Sequence, residues 1–307
     1  MEKGWIAVTA VDSETGLISD YSNRCGVAKN WCISAVGDYT FNVRNVAGSG
    51  TSFSAPVVTG VAVLVNQKYP WMNGDLIRQS ILSTATDVGA AGVDAVYGWG
   101  LLNASKAANG PALFDKRLAL GDYVNVSFDN YTSTFSNNIS GDAGLTKSGS
   151  GTLILSGNNT YTGKNIVNGG ILKVNGQVLS QVDIQSNGTL LVDGGIIQNN
   201  VLNHGGTMIN EGNGTTIHGI YMASSEAVTE HAMGAEFKVH GRVILNNSKL
   251  YIKTPGAGHN IYKYINSSEG ISGRVLSASE GIESTFGSVV VPVLLNSELI
   301  QDSNNID

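Results

Sequence analysis

Four triplets recur in the second half of the chain: Gly151-Thr152-Leu153, Gly170-Ile171-Leu172, Gly188-Thr189-Leu190 and Gly206-Thr207-Met208, at spacings of 19, 18 and 18 residues. Each opens a short run of alternating apolar residues, such as Leu153/Leu155 and Leu172/Val174, and Asn-Gly turns punctuate the runs. No other feature constrains the fold as much. One repeat of this kind cannot bury its own apolar face, so successive repeats must stack, and a fixed period near twenty residues predicts a β-solenoid. The expectation is a right-handed parallel coil over residues 145–307. It continues less regularly through Ala235–Val239, Arg242–Leu245 and Lys249–Thr254.

Composition agrees with short strands and turns. Only 14% of residues are charged, while Gly numbers 39 and Pro 5 among 307 residues, so Asn, Ser, Thr and Gly must supply the polar surface. Asn125, Asn187 and Asn213 head Asn-x-Ser/Thr triplets, read here as turn and ladder residues rather than glycan acceptors. Net charge is −6 and no basic run exceeds two residues, which argues against nucleic acid as a partner. The N-terminal stretch lacks the form of a signal peptide, and no run approaches the roughly 18 apolar residues of a spanning helix, so neither an export signal nor a membrane anchor is expected within these residues.

The first 110 residues read differently. Trp5 to Val11 is a buried strand. Ser52 to Gln67 is a helix, apolar nearly all round and therefore expected in a core, with Pro56 in its first turn. A second helix is expected from Gly74 to Ala85 with Asn73 as N-cap, and a short third after Asn103. Beyond Phe114 the helical pattern stops, and residues 115–144, rich in Asn, Ser and Asp, read as a linker. The fold class is thus α/β over 1–114, then all-β over 145–307. Cys25 and Cys32, with six residues between them, are either a small disulfide loop or two core thiols.

Gly50-Thr51-Ser52-Phe53-Ser54-Ala55-Pro56 carries the chemistry. A serine in the first turn of a helix has its Oγ held in place, and its own backbone N–H faces the position where an oxyanion would form. The helix dipole favours negative charge there. Gly50 lets the backbone approach a substrate closely.

The segment resembles the active-serine signature of the subtilisin family, G-T-S-x-[SA]-x-P. Tyr97-Gly98-Trp99-Gly100-Leu101-Leu102-Asn103 is similar to the element that closes such domains. Tyr21-Ser22-Asn23-Arg24-Cys25-Gly26 and Ala35-Val36-Gly37 resemble the family's S-N-x-G and A-P-G loops, with Val36 in place of Pro. The resemblance covers residues 4–110. It implies a secreted serine endopeptidase in which Ser52 is the nucleophile, its N–H is part of the oxyanion hole, Gly50, Thr51 and Pro56 are supporting motif residues, and Cys25 and Cys32 form the disulfide of a subset of secreted bacterial members. Residues 150–174 resemble the autotransporter-associated β-strand repeat. That implies a passenger at the surface of a Gram-negative bacterium or secreted from it, with an outer-membrane translocator barrel in the parent protein and none in this chain.

The other catalytic groups are not visible. All five histidines, His204, His218, His231, His240 and His259, lie in the solenoid half, and the first 203 residues contain none. Serine hydrolysis needs a base and a carboxylate that orients it. Asp12 has Glu14 where the family's D-[ST]-G has Gly, and only 39 residues separate it from Ser52. Asn23 belongs to the S-N-x-G loop and does not replace the oxyanion Asn. The resemblance therefore implies a fragment of a serine endopeptidase that lacks triad Asp, His and oxyanion Asn and is inactive alone, acting on peptide or protein substrates only as the intact parent. The alternative is a non-catalytic extracellular solenoid, a spacer or an adhesin. No cofactor and no metal are expected. The first 110 residues correspond to about the last third of an α/β sheet, so an open sheet edge and an uncovered apolar face are expected.

Overall fold

Ala7-Val8-Thr9-Ala10-Val11 and Cys32-Ile33-Ser34-Ala35-Val36 carry no charge and pair as parallel strands, β1 (Ala7–Val11) and β2 (Cys32–Val36), with Ala7 opposite Cys32 and Val11 opposite Val36. The structure is a computed structural model and describes residues 4–41, 46–232, 234–253, 265–275, 283–284, 287–288 and 305–306. It divides into two units, residues 1–121 and 122–307.

In the first unit a hairpin follows β2, formed by β3 (Asp38–Phe41) and β4 (Val46–Ser49) and leading directly into α1 (Thr51–Lys68). α1 packs on β1 and β2. Its buried residues, Ser54, Val58, Val61 and Val65, recur every three or four positions and define one face. The far face is open: Val63 is 61% and Leu64 51% exposed. The expectation of a helix covered all round is corrected here. An apolar composition records what a helix can bury, and in this unit the strands cover only one side. Pro56 is the sixth residue of α1, deeper than the first turn, so the Ser52 carbonyl lacks the usual N–H donor four residues on.

α2 (Gly74–Ser83) is capped by Asn73, whose side chain accepts from the Leu76 N–H at 2.9 Å. α3 (Ala104–Ala107) is capped by Asn103, which accepts from the Lys106 N–H at 3.0 Å. The chain continues through β5 (Leu113–Phe114) and α4 (Lys116–Ala119). Arg78, buried in α2, bonds Asp75 at 2.7 Å and the Leu118 carbonyl, tying α2 to α4.

The second unit is a parallel β-solenoid of about six turns. Its first turn holds β6 (Tyr123–Ser127), β7 (Thr132–Phe135) and β8 (Ser140–Gly141). The second holds β9 (Gly144–Ser148), β10 (Thr152–Leu155) and β11 (Asn158–Asn159). The third holds β12 (Asn165–Val167), β13 (Gly170–Val174) and β14 (Gln177–Val178). The fourth holds β15 (Val182–Ile184), β16 (Gly188–Val192) and β17 (Gly195–Ile197). The fifth holds β18 (Val201–Asn203), β19 (Thr207–Asn210) and β20 (Thr215–Ile217). The sixth holds β21 (Tyr221–Ala223), β22 (Val228–Ala232) and β23 (Phe237–Val239).

The repeated triplets lie in register: Gly170 faces Gly188, and Leu172, Leu190 and Met208 form one inward column. A second column runs Val178, Ile197, Ile217, Val239 on the third wall. These side chains are buried, each worth about 1.5–3 kcal/mol for a large aliphatic.

Residues 115–144, read as a linker, instead hold α4 and the first solenoid turn. Val124, Val126 and Phe135 are buried, with Ser133 beside Phe135 on the buried side of its strand, while Asn125 and Ser127 are exposed. The strands expected at Arg242–Leu245 and Lys249–Thr254 are one strand, β24 (Val243–Lys253). It pairs with β21 on one wall and β22 on the next and turns the corner at Asn247, where φ is +55°. Thr254 lies outside the described residues. β25 (Ile265–Ser267) continues the third wall and β26 (Ile271–Val275) pairs with β24.

Candidate active site

Ser52 is the second residue of α1 and its side chain is exposed. Its N–H belongs to the first helical turn, where no carbonyl lies one turn earlier to accept it. The preceding Gly50 has φ +153° and ψ 155°, a conformation reserved for glycine, and a Cβ there would lie 3.3 Å from Ser52 Oγ. The Gly50 N–H donates to the Gly37 carbonyl at 2.8 Å, and the Gly37 N–H donates to the Val11 carbonyl at 3.0 Å. The serine's loop is thereby pinned to the C-terminal ends of both parallel strands. Gly37 has no room for a side chain: a Cβ would lie 2.6 Å from Ala10 Cβ and 2.8 Å from Ser54 Oγ. Below the loop, Ser54 is fully buried and its hydroxyl has no hydrogen-bond partner among the described residues.

The flanking motifs build the platform. Residues 97–102 run beside β2: Trp99 N–H donates to the Cys32 carbonyl, Ser34 N–H to the Gly100 carbonyl and Leu102 N–H to the Ser34 carbonyl. Gly98 has φ +66°, and a Cβ there would meet the Cys32 carbonyl oxygen at 2.2 Å. Cys25 and Cys32 are joined by a disulfide with a Cα–Cα distance of 5.8 Å. The Ser22 hydroxyl accepts from the Ala10 N–H at 2.9 Å, so the Ser-Asn loop closes over β1.

Asp12 is occupied elsewhere. Its Oδ1 accepts from the Thr15 hydroxyl and N–H, both at 2.7 Å, and from the Glu14 N–H. The Thr15 hydroxyl, foremost, holds its carboxyl below the usual range. It is a turn-capping group. No histidine lies in residues 1–121; His204, His218, His231 and His240 are in the second unit, and His259 is outside the described residues. The first unit thus places an exposed serine hydroxyl and a free first-turn N–H side by side, and it contains no histidine. Among the described residues no group of three or more His, Cys, Asp or Glu side chains is gathered as for a metal ion.

Sequence reasoning missed two buried ionisable groups in the solenoid lumen. Lys147 Nζ donates to the carbonyls of Ser148, Gly149 and Gly169 at 2.6, 3.0 and 3.3 Å and lies 4.8 Å from the Phe128 ring centroid. Burial pulls its pKa down to about 8. His231 is 1% exposed and burial lowers its pKa to about 4. The signal for both was register: each occupies an inward column position of its strand.

Residues 2–100 match the subtilase family and residues 145–174 the passenger-associated transport repeat. The chain is 40% identical over 248 residues to the Neisserial autotransporter lipoprotein NalP of Neisseria meningitidis serogroup B, covering 77% of this chain and 22% of that protein. It is 35% identical over 247 residues to an extracellular serine protease of Serratia marcescens, covering 61% of this chain and 23% of that protein. It is 39% identical over 172 residues to serotype-specific antigen 1 of Mannheimia haemolytica, covering 52% and 17%. The chain spans about a fifth of the length of these relatives.

Proposed function

Since the chain belongs to the subtilisin-like serine protease autotransporters, we propose that residues 4–110 are the nucleophile-bearing part of a serine endopeptidase domain and that Ser52 attacks the scissile carbonyl of a peptide or protein substrate. The observation that carries this reading is the placement of Ser52 at the start of α1, on a loop pinned to the strand ends through Gly50 and Gly37. The Ser52 N–H supplies one oxyanion donor. The base that takes the Ser52 proton, the carboxylate that orients it and the second oxyanion donor come from a segment carrying the family's D-[ST]-G, H-G-T and Asn motifs. The disulfide and the passenger repeat support secretion from, or display on, a Gram-negative cell through a translocator barrel of the parent protein.

Without a base, this polypeptide alone hydrolyses peptides negligibly, since removing the base forfeits acceleration on the order of 10⁴–10⁶-fold. The second reading, a solenoid spacer or adhesin, is favoured by the lack of histidine in the first unit. Surface binding that survives Ser52→Ala supports it. A serine-directed fluorophosphonate probe tests the inactivity of the chain alone: Ser52 is expected to resist labelling, and rapid, stoichiometric labelling of Ser52 overturns that inactivity.

A further inference from the structure

His218 and His240 are separated by 22 positions in the sequence and become neighbours only through the solenoid. His218 follows β20 and His240 follows β23, strands paired with Ile217 opposite Val239. The His218 N–H donates to the Ile197 carbonyl at 2.9 Å and the His240 N–H to the Ile217 carbonyl at 2.8 Å, so both backbones are fixed by the turn below. Both side chains are exposed on the outer wall. Their rings lie parallel within 7°, with centroids 4.5 Å apart. No described residue hydrogen-bonds a ring nitrogen of either histidine. In the same outer column, Gln198 stands one turn before and Ser268 one turn after, and the Ser268 hydroxyl is engaged with the His240 carbonyl at 2.6 Å.

We propose that His218 and His240 form a two-imidazole binding site for a divalent transition-metal ion of the copper and zinc class on the outer wall of the solenoid. Imidazole nitrogens bind such ions at about 2.0–2.1 Å, so two cis ligands need nitrogens roughly 3.0–3.4 Å apart. Rings stacked at 4.5 Å reach that separation by tilting toward each other, with no movement of the backbone. The rungs hold both side chains side by side before any ion arrives, which lowers the ordering cost of binding. Calcium and magnesium do not fit, because they require a cluster of oxygen ligands. The remaining coordination positions are filled by water, and the preference follows the general order in which Cu²⁺ binds nitrogen ligands more tightly than Zn²⁺. The bound ion bridges two successive turns.

The test is titration of the purified full chain with Cu²⁺ and separately with Zn²⁺, followed calorimetrically, with electron paramagnetic resonance of the Cu²⁺ form. One equivalent of Cu²⁺ with nitrogen hyperfine structure is expected. His218→Ala and His240→Ala should each weaken binding by no less than the roughly tenfold that even outer-shell changes cost. His204→Ala, which changes an exposed histidine outside the column, should leave binding unchanged. Since the two ladder side chains are exposed, the variants should melt as the parent does, and His218→Gln provides a second variant if either alanine form does not. Absence of saturable binding, or binding retained in the His218→Ala/His240→Ala double variant, overturns the proposal.

Discussion

Ser54 and His231 make opposite statements about buried polar groups. Ser54 lies two residues past Ser52, fully buried, with a hydroxyl that finds no partner among the described residues. Such a group costs about 1–3 kcal/mol of desolvation. Ser54→Ala is therefore expected to stabilise the first unit by about 1 kcal/mol. All four tryptophans, Trp5, Trp31, Trp71 and Trp99, lie in that unit, so tryptophan fluorescence during urea unfolding reads it selectively; a lowered midpoint would show that the hydroxyl is satisfied. His231, by contrast, is held at its Nδ1. Asn210 Nδ2 approaches His231 Nδ1 at 2.6 Å, and the same amide donates to the Ala235 carbonyl, so the ring nitrogen must accept and the imidazole is neutral. Its folded pKa, about 4, is below the unfolded 6.5, so its stabilising contribution is complete above pH 6.5 and is lost as pH falls to 4. The full loss is about 3 kcal/mol. Far-UV circular dichroism of the solenoid through urea titrations at pH 7.5 and 4.5 should show a smaller loss of stability for His231→Gln than for the parent; equal losses would contradict this. Neither feature was legible from residue type: a serine in a signature motif and a histidine in a strand reveal their burial only through their neighbours.

At the scale of elements, legibility followed the length of the pattern. The triplets at a period of 18–19 residues announced columns that do lie in register, and the Asn73 and Asn103 caps stand where the helix starts required them. The third wall consists of strands of two or three residues, too short to show alternation. The first solenoid turn was obscured for a related reason: Asn, Ser and Asp crowd its turns, and its buried apolar residues, Val124, Val126, Phe128, Phe135 and Ile139, follow no repeated triplet. Glycines separate two roles within the first unit. At Gly98 a Cβ would strike the Cys32 backbone, whereas at Gly60, inside α1, nothing lies within 4 Å. Gly98→Ala should cost well over about 1 kcal/mol, and Gly60→Ala should gain about 0.5–1 kcal/mol, both read by tryptophan fluorescence. A stable Gly98→Ala protein would mean that residues 97–102 do not hold against β2 as described.

For the whole molecule, the two units differ in how far they satisfy themselves. The solenoid buries its inward columns turn on turn. The first unit leaves Trp5, Leu17, Tyr21, Val27, Val63 and Leu64 exposed. The apolar character of α1 and an uncovered apolar face in this unit were both readable in the sequence; that the open face would lie on α1 was not, because composition does not count the neighbours an element will have. The family of the chain was readable from the Ser52 and Tyr97–Asn103 motifs together with the repeat at residues 150–174, and the comparison with relatives agrees. What no motif supplied was a base: the first histidine is His204, in the second unit.

The central claim is a subtilisin-type nucleophile with no base of its own in the first unit. Fluorophosphonate labelling of the purified chain tests it most directly, with the modified residue located by peptide mapping and Ser52→Ala as the control. No labelling of Ser52 above the Ser52→Ala background is expected on the timescale at which an intact subtilase is fully labelled. Rapid, stoichiometric modification of Ser52 would contradict it.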